Sequence, residues 1–166
     1  MGHSGREALP ADGSAGDCSL VFRAGSLLCA VRLDEVVETM RPLATRPLAG
    51  SPSWVRGLSI MRGVPAPVID VAGLLAGERA AVCRFVAVRT EHGPLALATG
   101  EVLGIRAAVP GGPVDGHAAL LTGAGPAQRL VAGFATVDAE PLLLLQSMRV
   151  LPDDVWAAAA GEAVPS

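Results

Sequence analysis

The 166-residue chain contains no lysine and no tyrosine. Without lysine it cannot grip phosphates as a P-loop does, form a Schiff base, or use an amine as a general base. Aromatic residues make up only 3% of the chain. A core must therefore be built from Val, Leu, Ala and Ile, and short valine-rich runs of that kind favour strands over helices. Cysteine is scarce as well: three, at positions 18, 29 and 83, with no CxxC spacing. That argues against a paired-cysteine metal site, and all three read as small hydrophobes in a reducing compartment. The formal net charge is −3 and the basic residues stand singly, so no electrostatic footprint for nucleic acid is present. No apolar run approaches the ~18–20 residues needed to span a bilayer.

Catalytic constellations are missing too. His3 lies in a Gly/Ser-rich lead-in, and His92 and His117 lie in turn-rich segments far apart. No GxSxG elbow and no HExxH helix occurs. The chain is therefore expected to be no enzyme, with no catalytic, cofactor-binding or metal-binding residues.

What is present is β-forming sequence in two related halves. Residues 1–17 lack a hydrophobic signal core and read as a disordered lead-in. Residues 18–160 carry one domain of two lobes, interleaved and divided at roughly 18–80 and 81–150, and 161–166 is a tail. In the first half, runs at 18–23 and 27–32 flank Ala24-Gly25-Ser26 as a hairpin, followed by Glu35-Val36-Val37-Glu38. In the second, runs at 84–89 and 94–99 flank Glu91-His92-Gly93, followed by Glu101-Val102-Leu103-Gly104. Further on, Val55-Arg56-Gly57 matches Val131-Ala132-Gly133, and each glycine is followed eight residues later by a proline, Pro65 or Pro141. Order, spacing and the proline agree, so a duplication giving about five strands per lobe is expected. A helical turn is expected at 71–75. A final helix is expected at 152–160, with Asp153 and Asp154 in its first turn and Gly161 as its stop. The Gly/Pro-rich segment 110–126 reads as a long loop.

The most informative stretch is VRGLSIMRGVPAPVID, residues 55–70. Two apolar runs flank Arg62-Gly63, and Pro65 and Pro67 follow at alternate positions. Proline cannot donate to a central ladder, so this reads as a strand at an edge or bulge, where another protein can dock. On residue type alone, an arginine there is ordinarily part of a solvated face. A barrel that binds a small ligand is an alternative, but no cluster of convergent polar groups marks a pocket for one.

These residues resemble the CheW family, the small adaptors of bacterial chemotaxis arrays. The likeness runs from Leu20-Val21-Phe22 through Val36-Val37-Glu38, Val55-Arg56-Gly57 and Met61-Arg62-Gly63 to Pro67-Val68-Ile69-Asp70. It continues with Glu101-Val102-Leu103-Gly104-Ile105, Ala132-Gly133 and the leucines at 142–145. The resemblance implies a mainly β fold of two SH3-like five-stranded barrels, with a hydrophobic groove between them and a short C-terminal helix. It implies a non-catalytic scaffold coupling a CheA-type histidine kinase, through the kinase's regulatory domain, to the tip of methyl-accepting chemoreceptors. No nucleic acid, no cofactor and no direct membrane insertion are implied; the location is cytoplasmic, at membrane-associated receptor arrays. A CheW-like module serving a kinase outside motility, in pili or development, is the alternative within the family.

Carried over by position, the partner-binding residues are Val36, Glu38, Gly57, Arg62 and Gly63. Glu38 and Arg62 are expected to pair across two strands, on the face opposite Val37 and Met61. Gly57 is expected to let its strand approach a receptor helix in the groove. Two departures stand out: Ile60-Met61 replaces the family's usual Asn-Leu, and Val71-Ala72 replaces its usual Leu-Arg.

Overall fold

The computed structural model describes residues 18–107, 126–146 and 151–163. Ten strands form two five-stranded sheets. The first half supplies β1 (Cys18–Ala24), β2 (Leu27–Arg32), β3 (Val36–Met40), β4 (Val55–Met61), β5 (Val64–Asp70) and the helix α1 (Val71–Ala76). The second supplies β6 (Arg84–Thr90), β7 (Gly93–Thr99), β8 (Val102–Ala107), the short helix α2 (Pro126–Leu130), β9 (Val131–Val137), β10 (Glu140–Leu145) and α3 (Asp153–Ala163). The lead-in at 1–17 and most of the expected 110–126 loop lie outside the described residues.

The sheet orders are β8-β1-β2-β10-β9 and β3-β6-β7-β5-β4. Numbered within each half, both read third-first-second-fifth-fourth. The third strand and the fourth–fifth hairpin are exchanged between the halves. Register repeats as well as order: Phe22 faces Val102 as Val88 faces Val36, and Leu144 faces Ala30 as Val68 faces Ala96. A bulge falls at Arg56, between Val55 and Gly57, and its counterpart falls at Ala132. The duplication is thus a structural one. Each sheet draws strands from both halves, so the lobes interleave along the chain.

Burial explains why the strands read as continuous apolar runs and not as alternating ones. One core cluster belongs to the first sheet alone (Val21, Leu28, Ala30, Ala135, Leu142), and one to the second, where Phe85 packs among Ala66, Ala87, Ala96 and Ala98. The largest lies between the sheets and takes Phe22, Val31, Phe134 and Leu143 from one and Val86, Val88, Leu95 and Leu97 from the other. Strands β1, β2, β6 and β7 therefore bury both faces. All three phenylalanines of the chain are at most 1% exposed, each contributing about 1.5–3 kcal/mol of burial. Where the sheets meet, this shared core packs them against each other.

The helices close this layer. Asp70 caps α1 by accepting from the Gly73 N–H at 3.0 Å, and Gly77 ends it in the left-handed region at φ 66°. Leu151, Val155 and Ala159 pack α3 onto the shared core. The helix runs on through Gly161 to Ala163, so this glycine does not stop it.

Candidate functional site

Met61 faces Val64 across a two-residue connection, Arg62-Gly63, with φ of 52° and 79°. Positive φ at both central residues is the tight hairpin turn that matches strand twist, and glycine is the residue that adopts it without strain. The arginine is therefore at a hairpin tip and not within a strand. From there its Nε donates to Glu38 Oε2 at 2.6 Å and its Nη2 to Glu38 Oε1 at 2.8 Å. Glu38 is on β3, at the opposite end of the strand order from β4. The bidentate pair thus ties the two ends of one sheet and curls it towards closure. The arginine's hydrogen bonds hold the Glu38 carboxyl below the usual carboxylate range, and the carboxylate raises the guanidinium in turn.

On β3 it is Val37, 51% exposed, and Thr39 that face solvent, while Val36 and Glu38 on the other face are half-buried. A bulge between Val36 and Glu38 leaves Val37 as the extra residue, turned outwards. Its counterpart in the repeat, Leu103, is also exposed, at 40%. Val36 packs against the shared core.

Gly57 has a different role from the one expected. Its φ is +136°, and a Cβ there would stand 2.0 Å from the Arg46 carbonyl oxygen and 3.0 Å from the Pro47 Cα. The close approach is made by the chain's own 46–47 backbone, which exchanges two 2.8 Å hydrogen bonds with Leu58. Gly57 also lies five residues from Arg62 along β4, roughly 16 Å at strand rise. The structure gathers Val36, Glu38, Arg62 and Gly63 at one end of the sheet and leaves Gly57 apart.

The prolines behave as an edge would require, by a different route. Strand β5 is internal, but its ladder with β7 covers only Val68–Asp70. Pro65 and Pro67, which face Ile60 and Leu58, fall where β5 has no β7 partner, so their missing N–H groups cost no ladder bond. The edge strand is β4.

Sequence reasoning missed several contacts that fix the lobes. Arg23 on β1 donates to Glu140 on β10 from Nη1 and Nη2, the latter at 3.0 Å, and depresses that carboxyl. Glu78, just past α1, accepts from the Ser26 N–H and hydroxyl in the β1–β2 turn, joining the second half-sheet's helix to the first sheet. Nothing in the sequence pairs residues 117 positions apart. Ile60 and Val64, 61% and 45% exposed, make the β4–β5 tip apolar; the Ile60-Met61 departure was the signal for that.

Chemically the surface can clamp and dock. Among the described residues no three His, Cys, Asp or Glu side chains gather as a metal set would. His92 stacks at 5.2 Å on Trp156 of α3 and lies 3.6 Å from Glu91. Cys18 and Cys29 are buried thiols that form no disulfide, and burial pushes Cys29 up to about 12. Cys83 is exposed, against the expectation that all three cysteines are core.

Residues 19–155 match the family model for the CheW-like domain. Among solved structures, the chain is similar to the scaffolding protein TtCheW from Thermoanaerobacter tengcongensis, with 17% identity and a TM-score of 0.65. That match covers 81% of this chain and 92% of the other, and the likeness is one of fold. A search of curated proteins gave no match.

Proposed function

The chain belongs to the CheW-like domain family, and from that premise we propose that it is a non-catalytic adaptor joining a CheA-type histidine kinase to chemoreceptors. The observation that carries the reading is the Glu38–Arg62 clamp, which brings Val36, Glu38, Arg62 and Gly63 into one surface at the tip of β4–β5. A receptor tip, a helical hairpin, docks against such a surface through residues at i, i+3 and i+4. The kinase's regulatory domain, itself CheW-like, would pair through a strand edge.

The system served is chemotaxis or a related chemosensory pathway, and the protein works at the cytoplasmic face of membrane-associated arrays. No helix among the described residues is long and apolar enough to cross a membrane, so attachment would come through the receptor. A ligand-binding barrel finds no support, because the side chains of both single-sheet clusters fill the space a ligand would need. Titrating the purified protein with the regulatory domain of its cognate kinase should give association in the micromolar range or tighter, about −8 kcal/mol. Absence of association with any kinase of the host rejects the reading.

A further inference from the structure

The last helical segment of each half returns to the opening hairpin of that same half, and the two returns differ in chemistry. In the first half Glu78, just past α1, accepts from the Ser26 N–H at 3.0 Å and from its hydroxyl at 2.6 Å. In the second half Trp156 of α3 stacks on His92 in the β6–β7 turn, with ring centroids 5.2 Å apart and planes inclined by 34°. Helix α1 follows a strand of one sheet and its hairpin lies in the other, and the same holds for α3. Each contact therefore straps the two lobes together.

Only the second strap changes charge near neutral pH. The Ser26 bonds hold the Glu78 carboxyl below its usual range, so it stays ionised there. Histidine exchanges its proton between about pH 5 and 8. The turn holds His92 in place for the contact: its N–H donates to Thr90 Oγ1 at 3.1 Å, and that hydroxyl donates to the Gly93 carbonyl at 2.8 Å. Glu91 Oε2 lies 3.6 Å from His92 Nε2. Glu91 shares the turn and Arg89 stands near the end of β6, so both accompany His92 whether α3 is docked or not. Docking adds the face of the Trp156 indole, together with Asp153 and Asp154 in the first turn of α3. An indole face attracts a cation, and the two carboxylates act in the same sense. A proton on His92 thus favours the docked helix over the undocked one.

We infer that His92 and Trp156 form a pH-sensitive strap, which holds α3 across the lobe junction most firmly when His92 is protonated. Trp156 also packs against the shared core. Helix α3 lies against β5, the strand that begins beside the Arg62-Gly63 tip. The inference needs neither kinase nor receptor to hold.

Hydrogen–deuterium exchange of the full chain at about pH 5.5 and pH 8, spanning the histidine range, tests it. Rates are corrected for the intrinsic effect of pH on amide exchange, and the amides of buried β7 serve as the reference for global opening. Protection of α3 relative to β7 should be about two- to fivefold higher at the lower pH, the range that an exposed cation–π contact supplies. In His92→Asn that difference should vanish. In Trp156→Leu, which keeps an apolar side chain but no π face, it should shrink. Indole emission should also fall on acidification by more in the wild type than in His92→Asn, because an imidazolium quenches an indole that it faces. His92 is on an exposed turn, so His92→Asn decides the matter if Trp156→Leu melts early. A pH difference that survives unchanged in folded His92→Asn overturns the inference. So does wild-type protection of α3 that is equal at both pH values or higher at pH 8.

Discussion

Replacing Gly57 by alanine tests the local reasoning most severely. At φ +136° an L-residue is strained, which costs about 1–3 kcal/mol. The new Cβ would meet the Arg46 carbonyl oxygen at 2.0 Å. That contact is backbone, so no rotamer change relieves it, and the 46–47 segment must move off β4. Moving it breaks the two hydrogen bonds between Arg46 and Leu58, each contributing about 0.5–1.5 kcal/mol. The sum is about 2–6 kcal/mol, a large part of the ~5–15 kcal/mol that holds a domain folded. At roughly 2–4 °C per kcal/mol for a chain of this size, Gly57→Ala should melt about 4–24 °C early. Gly63→Ala is the matched control: its φ is also positive, at +79°, but nothing lies within 4 Å of the added carbon. It should cost only the left-handed strain, about 1–2 kcal/mol. Thermal melts of the two variants side by side report the clash as their difference. A Gly57→Ala protein no less stable than Gly63→Ala would refute the assignment of this glycine to intramolecular packing.

Arg62→Ala should leave the fold intact, since the pair is exposed, and should raise the Glu38 carboxyl towards its ordinary range. The Glu38 carboxyl shift, followed by NMR across an acid titration, checks this. In the wild type the folded carboxyl is the depressed one, so the pair's contribution is present near neutral pH and fades as pH falls through that lowered range. Thiol labelling of the native protein should modify the exposed Cys83 and spare Cys18 and Cys29 until denaturant is added; rapid labelling of all three would contradict their burial. Because burial raises Cys29 to about 12 from the ordinary thiol value of 9.0, its stabilising share is complete below pH 9 and declines from there upwards. Phe22→Ala opens the shared core between the sheets and should cost about 3–5 kcal/mol in urea unfolding. A loss under 1 kcal/mol would mean that the two sheets do not depend on a common core.

Much of the fold was legible because a duplicated sequence displays its strands twice. The glutamates at 35 and 101, the VxG triplets and the prolines eight residues later fixed strand order within each half. What they could not display was the exchange between halves, which lives in pairings such as Val36 with Val88 and leaves no local trace in either strand. The Glu38–Arg62 pair was readable through the family resemblance. Its geometry was not, because the two-residue turn puts the arginine at a tip and the bulge turns the apolar Val37 out to solvent. Gly57 was legible as a glycine that needs room; which backbone takes the room depends on where the loop at 46–47 returns. Runs such as the one at 27–31, buried on both faces, gave no sign of which face met the other sheet.

The central claim is that one molecule bridges two partners. The direct measurement is co-sedimentation of the cognate kinase with vesicles or nanodiscs carrying the chemoreceptor, with and without this protein. The account predicts that the kinase sediments with the receptor when the wild-type protein is present, and much less when it is absent or replaced by a folded Arg62→Ala variant. Kinase recovery with the receptor that is the same in all three cases would contradict it.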